Sequence, residues 1–276
     1  ARGWLERAAE QGEPLAFLEL GRAAEAGRGM EFGPAPAAAA SYYRAAALAG
    51  SPEGAACYGY CLEHGLGEEA DAAEAAIWYQ SAVDAAVARG PSAPMTPDIV
   101  KATTNLGMLF FEGRGVEEDH RRGCQLFKTA TDAGSAPAMV NLACAFEDGL
   151  GVPQDAEVAE ALYREAAAAG HPTGLANLGY MYLMREDTEV AKRLFEQAAH
   201  RGNPDAMYGL GHMLESGVAS DCILRPAPPE REPSGFAVEP VYDGEPGMDD
   251  EELRNLWVAL YRRGAALGEA RCQYRL

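Results

Sequence analysis

The sequence predicts an all-α protein, a right-handed α/α solenoid of about six stacked helix–turn–helix repeats. Three observations carry this. A frame of small and large apolar residues recurs along the chain with a base period of 36 residues. Alanine dominates while valine and isoleucine are scarce, which favours helices over a large sheet. Glycines recur where each helix should stop.

The frame has a small residue at position zero, an apolar residue at plus four, glycine or alanine at plus five and an apolar residue at plus eight. It appears first as Ala16, Leu20, Gly21 and Ala24, then as Gly54, Tyr58, Gly59 and Leu62. Ala102, Leu106, Gly107 and Phe110 form the third frame; Ala138, Leu142, Ala143 and Phe146 form the fourth. Gly174, Leu178, Gly179 and Tyr182 follow, then Ala206, Leu210, Gly211 and Leu214. Spacing of four residues places these side chains on one helical face. The steps between frames are 38, 48, 36, 36 and 32 residues. The long step is one period with a 12-residue insertion, supplied by "GPSAPMTPD" at 90–98.

Each of these A helices is followed by a B helix ending in alanines and a glycine. "WLERAAEQG" (4–12) opens the chain with one, and "YYRAAALAG" (42–50), "LFKTATDAG" (126–134), "LYREAAAAG" (162–170) and "LFEQAAHRG" (194–202) repeat it. Gly27, Gly65, Gly113, Gly149 and Gly217 are expected to end the A helices in the left-handed conformation. Asp71, Asp119 and Asp155 are placed to cap the B helices. Gly-x-Pro then stops a B helix and begins the next A helix. The plus-five glycines are expected to face the partner helix, so that the two backbones approach closely. Gly209, at plus three, is expected on the open face without a packing role.

The frame breaks after Gly217. Residues 219–250 are rich in proline and acid and cannot be a helix interior. They read as an insertion within the sixth repeat, either a surface loop or a segment that docks through Phe236, Val238, Val241 and Tyr242. A B helix resumes at 251–268, and Cys272 starts a seventh frame that ends at Leu276. The expectation is a single solenoid over 1–276, cut from a longer array.

The motif small-x-x-x-Leu-Gly-x-x-aromatic-x-x-Gly-x-Gly-Val, with a second helix ending Ala-Ala-x-x-Gly, resembles the Sel-1-like repeat family, a relative of the tetratricopeptide repeat. "VKATTNLGMLFFEGRGV" (100–116) and "APAMVNLACAFEDGLGV" (136–152) match it best. The resemblance covers 1–218 nearly throughout. It implies adaptors of the kind found in protein quality control, bacterial signalling and secretion.

The formal net charge is −19, which disfavours nucleic-acid phosphates and anionic lipid as partners. No apolar run is long enough to span a bilayer. The cysteines at 57, 61, 124, 144, 222 and 272 show no pairing pattern and read as reduced thiols, favouring a cytoplasm or an organelle matrix. The Gly-x-Gly stretches follow helices rather than strands and lack a phosphate-loop lysine. His64, His120, His171, His200 and His212 fall at scattered repeat positions without zinc-ligand spacing. Cys57 and Cys61 share a helix face and read as small core residues. No nucleophile–histidine–acid arrangement appears, so no catalytic residue, cofactor or metal is expected.

One row points to binding. Asn105, Asn141 and Asn177 stand at plus three of consecutive repeats. Met108, Cys144 and Tyr180 at plus six share that face, as do Glu112, Asp148 and Met184 at plus ten. Stacking aligns these rows on the inner surface, where amides can bond an extended peptide. The competing reading is that each asparagine bonds a neighbouring helix. The expected function is a non-catalytic adaptor holding a protein or peptide in the concave groove. The alternative is an accessory subunit built into a large, possibly organellar, assembly.

Overall fold

The computed structural model describes residues 2–28, 33–90 and 94–215, with isolated positions at 258, 259 and 262. Gly217, the 219–250 insertion and the seventh frame lie outside the described residues, as do the side chains of Leu214 and Glu215. Helices form throughout, and no strand occurs among the described residues. The A helices are α2 (Pro14–Glu25), α4 (Pro52–His64), α6 (Pro97–Glu112), α8 (Ala136–Asp148), α10 (Pro172–Met184) and α12 (Pro204–Glu215). The B helices are α1 (Arg2–Glu10), α3 (Pro36–Leu48), α5 (Ala72–Ala88), α7 (His120–Asp132), α9 (Ala156–Ala168) and α11 (Thr188–His200). None of the described helices is long and apolar enough to cross a membrane.

The helix boundaries follow from local chemistry. Gly65, Gly113 and Gly149 close α4, α6 and α8 in the left-handed conformation at φ of 66°, 65° and 71°. Asp71 and Asp119 accept from the backbone N–H of Glu74 and Arg122 and so cap α5 and α7. The middle residue of Gly-x-Pro has a role that the sequence reading missed. Ser51, His171 and Asn203 occupy it, and each accepts the N–H three residues on. Ser135 does the same at the start of α8. The insertion after α5 is partly helical: α5 has 17 residues where the other B helices from α3 onward have 13.

The chain divides into two compact units, residues 1–155 and 156–276. In unit 1, α2 packs on α3, α4 on α5 and α6 on α7 as hairpins, and each B helix also packs on the next A helix. In unit 2, α10 packs between α9 and α11, and α12 packs on α11. Three pairs of successive A helices touch: α2 with α4, α4 with α6, and α10 with α12. No comparable contact joins successive B helices among those described. Within each unit the A helices therefore form the tighter, inner layer. The frame residues fill the cores: Leu20, Tyr58, Leu106, Leu142, Leu178 and Leu210 at plus four are all buried. Each such side chain contributes roughly 1.5–3 kcal/mol by leaving water.

The plus-five glycines Gly21, Gly59, Gly107 and Gly179 face the following B helix as expected, but a ring fills the space rather than the backbone alone. A Cβ on Gly59 would lie 2.8 Å from the Tyr79 ring, and one on Gly107 would lie 2.6 Å from Phe127. Close backbone approach within the hairpin stack occurs at position zero, where a Cβ on Gly54 would lie 2.8 Å from the Ala47 nitrogen on α3. Gly209 is not on an open face. It is buried, and a Cβ there would lie 3.0 Å from the Phe195 ring. Phe195 thus lies between Gly179 and Gly209, and a larger side chain at either would press on the ring. The second glycine of Gly-x-Gly also stacks repeats. Gly115 and Gly151 have positive φ, and a Cβ on either would collide with the backbone at the start of α5 or α7.

Candidate groove on the inner helices of unit 1

The inner layer of unit 1 holds a groove of about 420 Å³ where α2, α4 and α6 meet. Its floor is made by small residues of α4, Ala56, Cys57 and Cys61, between the buried rings of Tyr43 and Tyr79. Its rim carries Arg22 and Glu25 from α2, Tyr60 from α4, and Asp98, Lys101 and Asn105 from α6. Tyr60 is 43% exposed, and its ring lies against His64 at 4.2 Å between centroids.

Ionic and hydroxyl contacts hold this rim. The Arg22 guanidinium on α2 pairs with Asp98 on α6 at 2.5 Å and with Glu19 at 2.7 Å, bridging two helices across α4. Burial works against the Arg22 charge, but its two carboxylate partners raise its pKa on balance. Tyr43 donates its hydroxyl to Glu25. Tyr79 donates to Glu63 at 2.8 Å and accepts from the Asn105 amide at 3.1 Å. Burial, together with these carboxylates, pushes both tyrosines above the ordinary phenol range. Glu63, whose side chain is only 6% exposed, also receives Arg114, which in turn pairs with Glu112. Burial pushes the Cys57 thiol up to about 12 and the Cys61 thiol up to about 11, so both stay protonated and uncharged at neutral pH.

A second depression of about 600 Å³ adjoins at the N-terminal ends of the same three helices and shares Arg22 and Asp98. There Glu53 is held below the usual carboxylate range: burial opposes this, but Arg89 and Thr96 outweigh it.

The sequence-predicted row is distributed as follows. Asn105 is half-buried on the groove rim and bonds the neighbouring helix through Tyr79. Met108 is half-buried on the same helix, and Glu112 is exposed but tied to Asn105 through Arg114, Glu63 and Tyr79. On α8, Asn141 and Cys144 are half-buried and Asp148 is exposed. In unit 2, Asn177 is half-buried, Met184 is exposed, and Tyr180 spends its hydroxyl on the Asp205 carbonyl at 2.8 Å. The Tyr180 ring also packs edge-on against Phe195. The sequence reading missed Arg22, Glu25, Tyr60, Tyr79 and Lys101. One signal was available: plus nine is Glu25, Glu63 and Glu147 where the next B helix brings Tyr43, Tyr79 and Tyr163, but Phe111 and Leu183 where it brings Phe127 and Phe195. Arg22 and Asp98 lie 76 residues apart and left no local trace.

Cys57, Cys61, Cys124 and Cys144 form no disulfide among the described residues. Among the described residues, no three His, Cys, Asp or Glu side chains cluster as metal ligands.

A model of the Sel1 repeat matches residues 1–13, 19–51, 52–87, 100–135, 136–171, 172–203 and 204–223. The matches at 52–87, 100–135 and 172–203 each span one A helix and the B helix after it. A comparison with curated proteins finds no match. Among solved structures, the chain is similar to a protective antigen of uropathogenic Escherichia coli displaying an SLR fold, at 26% identity and a TM-score of 0.67. That alignment covers 99% of this chain and 50% of the antigen, so the chain spans half the length of that relative. It is also similar to a Sel1 repeat protein from Oxalobacter formigenes, at 27% identity and a TM-score of 0.60, over 71% of this chain and 75% of that one. An immunity protein from Pseudomonas aeruginosa shares the fold at 17% identity and a TM-score of 0.50, over 92% of this chain and 83% of that one.

Proposed function

The chain belongs to the Sel1 repeat family, and from that premise we propose that it is an adaptor that holds a protein or peptide in the groove of its inner helices. Sel1 repeat proteins are in general non-enzymatic scaffolds for protein–protein interaction, built as all-α solenoids. The observation that supports the site is the unit 1 groove, whose volume lies within the range of ligand sites. Small side chains line its floor, and charged and aromatic groups stand at its rim, as at a hot spot ringed by polar contacts. The row Asn105, Met108 and Glu112 extends along α6 from that rim. Within unit 1, Asn141 and Asp148 on α8 belong to the same proposal; within unit 2, taken by itself, Asn177 and Tyr180 on α10 are its counterparts.

A photo-crosslinking residue at Tyr60, compared with one at Arg44 on the outer layer, tests this. The groove position captures the partner and the outer position does not. Lys101→Glu combined with Asn105→Lys lowers recovery of the same partner. Equal capture from both positions, or unchanged recovery with the double variant, rejects the groove as the site.

A further inference from the structure

Resting on the adaptor reading, we propose that the unit 1 groove takes an extended peptide that presents a basic residue over α2, a large apolar residue over α4 and an acidic residue over α6. The argument is one of unspent charge. Of the rim groups on α2, Arg22 is already committed to Glu19 and Asp98. Glu25 has a tyrosine hydroxyl but no cation among the described residues. On α6 the situation is inverted. Asp98 is committed to Arg22, while Lys101 is exposed and has no carboxylate partner among the described residues. Between them α4 offers no unspent charge. Glu53 and Glu63 hold Arg89 and Arg114, and Cys57 and Cys61 are protonated.

The centre accepts an apolar group for a steric reason. Cys57 stands at the repeat position where α6, α8 and α10 carry Asn105, Asn141 and Asn177. The thiol is smaller than the amide and cannot bridge to Tyr43 with a carboxamide's reach. Tyr60 supplies an exposed face beside it. Packed helices stand about 8–10 Å apart and an extended chain rises about 3.3 Å per residue, so successive anchors are about three residues apart.

Three heptapeptides test this by fluorescence anisotropy with the full chain. One is Lys-Gly-Ser-Leu-Gly-Ser-Glu; the others carry Glu at both ends or Lys at both ends. Comparing end charges makes the result independent of chain direction. The mixed peptide binds about fivefold tighter than either like-charged peptide, with the gap closing at high salt. In Lys101→Glu, a change at an exposed unpaired residue, the preference passes to the double-lysine peptide. Cys57→Phe fills the floor and weakens all three. Equal binding of all three overturns the charge assignment but leaves a peptide groove intact. Absence of saturable binding, or an unchanged preference in Lys101→Glu, overturns the inference, while crosslinking from Tyr60 judges the adaptor reading separately.

Discussion

Tyr79 in unit 1 and Phe195 in unit 2 stand at equivalent points of their repeats, and neither exposes any surface. Each lies against the plus-five glycine of the preceding inner helix, Gly59 or Gly179. Their surroundings then diverge. Tyr79 bonds Glu63 behind it and Asn105 ahead of it, and Arg114 completes the network. Phe195 has Leu183 packed against its core cluster and Gly209 ahead of it. The same hairpin can thus be closed by a satisfied polar chain or by an apolar seal. The buried hydroxyl needs a partner, because leaving it without one costs about 1–3 kcal/mol. This explains why plus nine is acidic before a tyrosine and apolar before a phenylalanine. It also explains the glycine in the middle of α12.

The largest effect should come from removing the apolar seal. Phe195→Ala empties a fully buried site and should cost about 3–5 kcal/mol in chemical denaturation. The polar version is probed by Tyr79→Phe, which strips Glu63 and Asn105 of their hydroxyl and should cost about 1–3 kcal/mol. Adding Glu63→Leu imitates the Phe195–Leu183 pairing and should restore part of the loss; a double variant worse than the sum of the single changes refutes the equivalence. The two glycines around Phe195 separate by distance. Gly179→Ala brings a Cβ to 2.8 Å from the ring and should cost about 1–3 kcal/mol. Both changes gain about 1 kcal/mol of helix propensity, and Gly209→Ala reaches only 3.0 Å, so it should be the milder one. Thermal melts of both variants give the order.

The smallest effect concerns pH in unit 2. Burial lowers the His171 pKa below its ordinary value of 6.5. The neutral ring nitrogen accepts the Gly174 N–H at 3.4 Å, and a protonated ring cannot. Folding therefore opposes protonation. The stability from this cap is whole above pH 6.5 and is lost as the pH falls below it toward the folded value. His171→Asn keeps a capping oxygen and should flatten stability in that window. An unchanged slope between wild type and variant would show that the cap does not titrate.

Much of this architecture was legible because it is local. Helix stops at Gly65, Gly113 and Gly149, caps at Asp71 and Asp119, and the buried plus-four row all follow from residues within one or two turns of each other. The groove was only partly legible. Asn105 was identified, yet its partner Tyr79 lies 26 residues away on another helix. Wheel geometry treats a helix as solitary and placed Gly209 in the open, whereas the preceding B helix brings Phe195 against it.

The sequence alone determined the repeat, its period and the glycine stops and aspartate caps of its turns, because a periodic array writes the same short-range contacts again and again. Only the tertiary structure decided which side chains meet between helices: Arg22 with Asp98, Tyr79 with Asn105, Phe195 with Gly209. Those meetings depend on how neighbouring hairpins pack, and packing is a property of surfaces brought together rather than of intervals along a chain.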